Sequence, residues 1–197
     1  MATKIVPENA ILIPDHARRV FQGEIFDVYQ WPQQLYDGTT VTFEMARRAD
    51  SVEALCVVDG KILVLDDLQP NRDSRLTFPG GRQNGFSEAA LDAAKREVRE
   101  ETGFAFKNWR LVSVTQPFGK LEWFHSLFVA WDGERVVEPD LDAGEKITVK
   151  RLAFDEVRQL VLDDAGKLGY TRRFFESAHT LQDILALPEF TGKTIDR

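Results

Sequence analysis

The stretch from Gly80 to Phe104, GGRQNGFSEAALDAAKREVREETGF, predicts a loop followed by a helix that ends in a cluster of carboxylates. Pro79, Gly80 and Gly81 close a strand-like segment and open the loop. Ser87 stands where a side chain can cap the helix, and Gly103 supplies the left-handed stop. Ala90, Leu91, Ala94 and Val98 recur as a narrow apolar stripe, so one side of the helix lies on a core. Glu97, Glu100 and Glu101 fall in the last turns, where the negative end of the helix dipole makes each carboxylate unfavourable by ~0.3 to 1 kcal/mol. At 100° per residue the three side chains span roughly 100° of one face, and Glu101 lies about 60° around from Val98, at the edge of the core. A half-desolvated carboxylate needs a partner. Oxygen donors with no Cys or His nearby suit magnesium or manganese rather than zinc. For REVREE in isolation the alternative is a solvated, salt-bridged helix face. The glycine-bounded loop before it and the apolar stripe beside it favour the metal.

The same residues resemble the signature of the Nudix hydrolases. That pattern runs Gly, five intervening residues, Glu, seven intervening residues, then Arg-Glu-aliphatic-x-Glu-Glu-x-Gly-aliphatic. Its second half is matched at every position by Glu88, Arg96, Glu97, Val98, Arg99, Glu100, Glu101, Thr102, Gly103 and Phe104. In its first half, six residues rather than five separate Gly81 from Glu88, so the loop carries an insertion. The resemblance implies an α/β fold, the Nudix-type α/β/α sandwich with a mixed sheet. It implies metal binding by Glu97 and Glu101, assisted by Glu100 and the Gly80 carbonyl, with Arg96 bracing the box against a carboxylate such as Glu88. Gly81 and Gly103 take structural roles in the box. The implied reaction is attack of water on a diphosphate that joins a nucleoside to a second moiety, with Mg2+ or Mn2+ as cofactor.

At 197 residues the chain can bury a substantial core and has room for one main domain with an appendage. A formal net charge of −7 argues against a broad nucleic-acid or membrane surface and leaves room for a local basic pocket. No leading basic-plus-apolar segment and no run of 18 apolar residues occurs, which predicts a soluble, unexported protein. The single Cys56 forms no internal disulfide, in keeping with a reducing cytoplasm, and its setting in ALCVV reads as core filler.

Residues 1–50 read as a small antiparallel β unit: GEIFDVYQW and TTVTFEMARR are rich in β-formers, with a turn at Asp37-Gly38. Such a unit is marginal alone and should dock on the remaining domain, 51–197, or on a second subunit. SVEALCVV and KILVLDDL read as strands joined at Asp59-Gly60, RLTFPGG leads into the box, and WRLVSVTQ and EWFHSLFVAW read as further strands with a turn at Asp132-Gly133. FDEVRQLVLDD and YTRRFFESAHTLQDILAL have helical spacing.

This order resembles the ADP-ribose pyrophosphatase and nucleotide-sugar branch of the Nudix family, whose N-terminal strands help to build a homodimer. That likeness implies a homodimer here and a nucleoside diphosphate substrate such as ADP-ribose. It also implies a general base on a mobile loop, for which Glu145 in LDAGEKITV is the first candidate, with Glu100 or Glu97 as fallback. Arg72 and Arg82 flank the strand leading to Gly80 and suit phosphate binding, and Gln69 sits in a loose match to a substrate-contacting Gln-x-Arg stretch. Both arginines also fit ordinary surface roles. Phe118, Trp123 and Trp31 are candidates to stack on a base, with core or dimer packing as the alternative. His125, among apolar neighbours, reads as structural. Two other readings remain: cleavage of nucleoside triphosphates or dinucleoside polyphosphates, and a sensor that keeps the fold without catalysis.

Overall fold

The computed structural model describes residues 3–70, 73–141, 143–144, 146–163 and 167–196. The N-terminal part carries β1 (Thr3–Val6), β2 (Arg18–Gln22), β3 (Asp27–Gln34) and β4 (Thr40–Arg47). There follow β5 (Ser51–Val58), β6 (Lys61–Leu68), β7 (Arg75–Thr77), the helix α1 (Ala90–Thr102), β8 (Phe104–Thr115), β9 (Leu121–Glu122), β10 (His125–Arg135) and β11 (Lys146–Leu152). The chain ends with α2 (Phe154–Asp163), a 3-10 turn (Lys167–Tyr170), α3 (Arg172–Ser177), α4 (Leu181–Leu185) and β12 (Lys193–Asp196). Among the described residues no helix is long and apolar enough to cross a membrane.

The apolar run of β5 is buried on both faces, as a central strand requires. Asp59 and Gly60 turn it into β6 with left-handed φ values of 50° and 74°, the backbone that an Asp-Gly pair favours in a two-residue hairpin. The main sheet runs β11-β6-β5-β10-β8, with β7 beside β6; β5 and β10 are parallel and the other pairs antiparallel. One face holds Leu55, Val57, Val64, Leu127 and Val129 against Val157 and Val161 of α2, Phe175 of α3 and Ile184 of α4. The other holds Val52, Ala54, Cys56 and Phe128 against Ala93, Ala94 and Val98 of α1. Helices therefore cover both faces, and the α/β/α sandwich with a mixed sheet is the observed architecture.

Strands β2, β3 and β4 form a second sheet whose fourth member, β9, comes from the connection between β8 and β10. Its own core is Ile13, Trp31 and Met45. At the opposite end of this segment, β1 pairs with β12. The N-terminal segment is thus stitched to later residues at two separate places.

Several local expectations are corrected. Ser87 does not cap α1: the cap position is Ala89, with no side-chain bond, because Glu88 instead accepts the Asn84 N–H and pairs with Arg96 at the helix entrance. Leu91 is 37% exposed although it lies on the same face as Val98 and Thr102, and the buried positions of α1 are Ala93, Ala94, Val98 and Thr102. Asp132 and Gly133 lie inside β10, not at a turn. Asp132 takes a φ of 58° while pairing continues from Trp131 with Asn108 to Gly133 with Phe106, whose ring leaves no room for a Cβ at Gly133. The last helical segment is broken between α3 and α4, where Thr180 and Asp183 form a capping box that starts a new helix.

Candidate active site

Three glutamates at the end of a helix must be neutralised, and Arg96 does much of that work. Its Nε and Nη2 donate to the two carboxylate oxygens of Glu88 at 2.9 and 3.1 Å, a bidentate pair. Its Nη1 donates to Glu97 at 2.8 Å and to Glu100 at 3.0 Å, and Nη2 also reaches the Arg82 carbonyl at 3.1 Å. These carboxylates, Glu88 foremost, hold the guanidinium charge more firmly than usual. In return the hydrogen bond from Arg96 draws the Glu88 carboxyl below its ordinary range.

Glu101 is anchored differently, by the Gly80 N–H at 2.7 Å from its Oε2. That amide is in place because the loop lies against β5: Val52 N–H donates to the Gly81 carbonyl at 2.9 Å and Ala54 N–H to the Pro79 carbonyl at 2.8 Å. The approach leaves no space for side chains. Gly80 has a φ of 152°, and a Cβ there would lie 2.2 Å from the Val52 carbonyl oxygen; at Gly81 it would lie 2.5 Å from the Glu97 carboxylate carbon. The two glycines let backbone and carboxylates meet.

Glu97, Glu100 and Glu101 together line a cleft of about 790 Å³. Gly80, Gly81, Arg82 and Gln69 line it as well. Among the described residues no three acidic, His or Cys side chains already stand together as a metal cluster, since Arg96 spans Glu97 and Glu100 while Glu101 turns to Gly80. The donor chemistry on the box side nevertheless fits a hard divalent cation: carboxylate and backbone carbonyl oxygens, with the one thiol, Cys56, sealed in the core and pushed well up by burial.

The facing wall comes from elsewhere in the chain. Glu53 of β5, nearly buried, has His125 Nε2 3.7 Å from its Oε2. The His125 ring stacks on Tyr170 with centroids 4.6 Å apart and planes at 25°. Burial lowers the His125 pKa to about 4, so the imidazole is neutral at neutral pH. Burial and the Glu53 charge raise the Tyr170 phenol. Farther along, Arg48 lies over Trp123 at 5.2 Å, and Trp123 Nε1 donates to Ser51 Oγ at 3.1 Å. Burial and the neighbouring Arg82 charge lower the Arg48 pKa, against an opposing pull from Asp50.

The structure thus gathers Glu97, Glu100, Glu101, Gly80, Gly81, Arg82 and Gln69 around one cleft. Glu88 and Arg96 brace its helical side and Gly103, with a φ of 75°, ends the helix. Phe118 lies off the cleft, 59% exposed and stacked on Trp123. Trp31 is buried in the N-terminal sheet. Arg72 and Glu145 lie outside the described residues. Sequence reasoning passed over Arg48, Glu53, Asp67 and Tyr170 as cleft residues and took His125 as merely structural. One signal was available, because Glu53 is the single charge inside the run SVEALCVV.

A search of curated proteins found no match. A solved structure titled "Crystal structure of ADP compounds hydrolase" superposes with a TM-score of 0.62 at 16% identity, over 89% of this chain and 92% of that one, a likeness of fold. The family model of the NUDIX domain matches residues 47–174, which takes in the box helix, the loop before it and β5 and β10 across the cleft; the chain therefore belongs to the Nudix family.

Proposed function

We propose that the chain hydrolyses the phosphoanhydride of a nucleoside diphosphate joined to a second moiety, with ADP-ribose or another nucleotide sugar as substrate. The observation that carries this reading is the convergence of Glu97, Glu100 and Glu101 on one cleft beside the Gly80-Gly81 backbone. Glu97 and Glu101, with Glu100 and the Gly80 carbonyl, would hold Mg2+ or Mn2+. Such an ion, when bound, supplies charge to offset what develops on the phosphate oxygens and lowers the pKa of water.

Arg96 keeps Glu97 and Glu100 oriented toward the cleft through its bonds to both. Arg82, on the cleft and close enough to Arg48 to depress its pKa, is suited to hold the diphosphate, and Arg72, outside the described residues, is a second candidate. Gln69 offers an amide to the substrate from the β6 side. Glu145 is the proposed general base, taking the proton of the attacking water, with Glu100 or Glu97 in that role otherwise. Trp123, on the cleft wall, supplies an aromatic face for a base. Phe21, Ile25 and Tyr36 are exposed apolar side chains on and around the N-terminal sheet and support a homodimer formed through it. The buried thiol suits a cytoplasmic setting.

The test is chromatography of products from ADP-ribose with Mg2+, where AMP and ribose 5-phosphate are expected. Glu101→Gln should lower turnover by about a thousandfold or more while circular dichroism stays unchanged. Full activity in that variant would remove the basis of this assignment, and release of pyrophosphate from nucleoside triphosphates at higher kcat/KM would redirect it.

A further inference from the structure

Glu53 stands in a cleft already rich in carboxylates, on the wall away from the box helix, and an anionic substrate gains nothing from it electrostatically. Its chemistry is that of an acceptor. An ionised carboxylate takes hydrogen bonds from hydroxyls and offers none. Beside it are a neutral imidazole, which presents one donor and one acceptor, and a phenol that stays protonated because burial and the Glu53 charge both raise its pKa. Tyr170 is 38% exposed, so its ring and hydroxyl are accessible, while His125 stacked behind it fixes the ring plane. Strand alternation puts Ser51 and Glu53 on the same face of β5, about 7 Å apart. Ser51 holds Trp123, Glu53 flanks His125, and His125 stands beside Ser51 across the β5–β10 pairing, so Arg48, Trp123, Glu53, His125 and Tyr170 form one continuous wall. Gly80, whose N–H anchors Glu101, packs directly against the Glu53 backbone.

The geometry points to Glu53, His125 and Tyr170 as a polyol subsite that accepts the vicinal hydroxyls of the sugar on the far side of the diphosphate. This deepens the proposed hydrolase reading and rests on it for the identity of the site. Glu53 accepts from a sugar hydroxyl, as an acidic side chain does for the ribose 2′-hydroxyl in dinucleotide-binding folds. Tyr170 packs against the apolar face of the sugar and exchanges a hydrogen bond at its rim. The same carboxylate repels a further phosphate in that position, which disfavours nucleoside triphosphates and favours an uncharged, hydroxyl-bearing group.

The experiment compares wild type, Glu53→Gln and Tyr170→Phe in two assays. Calorimetry measures binding of ribose 5-phosphate and of propyl phosphate, which keeps the phosphate and lacks the hydroxyls. Kinetics measures hydrolysis of ADP-ribose and of ADP carrying a propyl group on its terminal phosphate. Glu53→Gln should weaken ribose 5-phosphate binding and raise KM for ADP-ribose by about tenfold or more, leaving both propyl compounds within about threefold of wild type. Tyr170→Phe, which removes only a hydroxyl at an accessible position, should show the same selectivity with a smaller change. Equal losses on sugar and propyl compounds, or no preference of wild type for ribose 5-phosphate over propyl phosphate, would overturn the subsite. If ADP-ribose binds in a Glu53-dependent way and is never cleaved, the hydrolase reading fails and the subsite stands; if both ADP compounds are cleaved equally well, the reverse holds.

Discussion

The helical wall of the cleft takes Arg96, Glu97, Glu100 and Glu101 from neighbouring turns of α1, whereas the facing wall takes Arg48, Glu53, Trp123, His125 and Tyr170 from segments scattered between residues 48 and 170. On the helix, the side chains are set side by side by helical geometry, and the Arg96 guanidinium ties Glu97 and Glu100 to Glu88 in the loop before it. On the sheet side, position depends on the parallel pairing of β5 with β10 and on a 3-10 turn that approaches from beyond α2. The helical wall is therefore a self-contained ion-binding ridge under the proposed function, and the sheet wall is free to vary with the substrate without disturbing it.

The joint between the walls is Gly80, and a change there should damage both. Gly80→Ala forces a Cβ onto the Val52 carbonyl at a φ of 152°, so we expect a loss of about 4 kcal/mol in urea denaturation together with loss of activity. A variant of near wild-type stability would show that the loop and β5 move apart readily.

The next effect separates the walls by pH. His125 titrates at about 4 in the folded protein against an ordinary 6.5, so the unfolded chain takes up the proton first. Its contribution is complete above pH 6.5, declines as pH falls toward about 4, and amounts to about 3 kcal/mol. Melting curves between those pH values should show this slope, and His125→Gln should flatten it. Glu88, on the helical wall, behaves otherwise. Its folded pKa lies below the ordinary 4.5, so its contribution persists above that value and disappears only as pH drops through the lower folded one. A slope confined to the more acidic window would place the acid sensitivity on the helix.

The smallest effect tests how independent the ridge is. Ala89 occupies the cap position of α1 with no side-chain bond, so Ala89→Ser should add about 1 kcal/mol and raise Tm by about 2 to 4 °C. Turnover should not change, because the turns proposed to bind metal lie at the other end of the helix.

This division also explains what the sequence could disclose. Glu97, Glu100, Glu101 and the Gly103 stop are readable because helical periodicity and the left-handed cap are rules of adjacent residues. The Asp59-Gly60 hairpin is readable for the same reason. Glu53 and His125 become cleft residues through a pairing between strands more than sixty residues apart, where His125 aligns with Ser51 and Leu127 with Glu53. No spacing rule spans that distance. Asp132-Gly133 misled because an Asp-Gly pair signals a left-handed backbone, which Asp132 does adopt, but here within a strand that continues past it. Ser87 was displaced as cap by the stronger claim of Glu88 on Arg96, a contact that the periodicity of the helix does not encode.

The union of β1 with β12, running from Thr3 opposite Asp196 to Val6 opposite Lys193, has a bearing on how the chain is made. A ribosome delivers β1 long before its hydrogen-bonding partner, so Val6, fully buried with Val114 and Phe124 in the folded protein, must wait for residues 193–196 to emerge. The main sheet and its helix can assemble during elongation, while this clasp closes afterwards, and a nascent chain stalled short of residue 193 would leave that apolar strand open to other proteins.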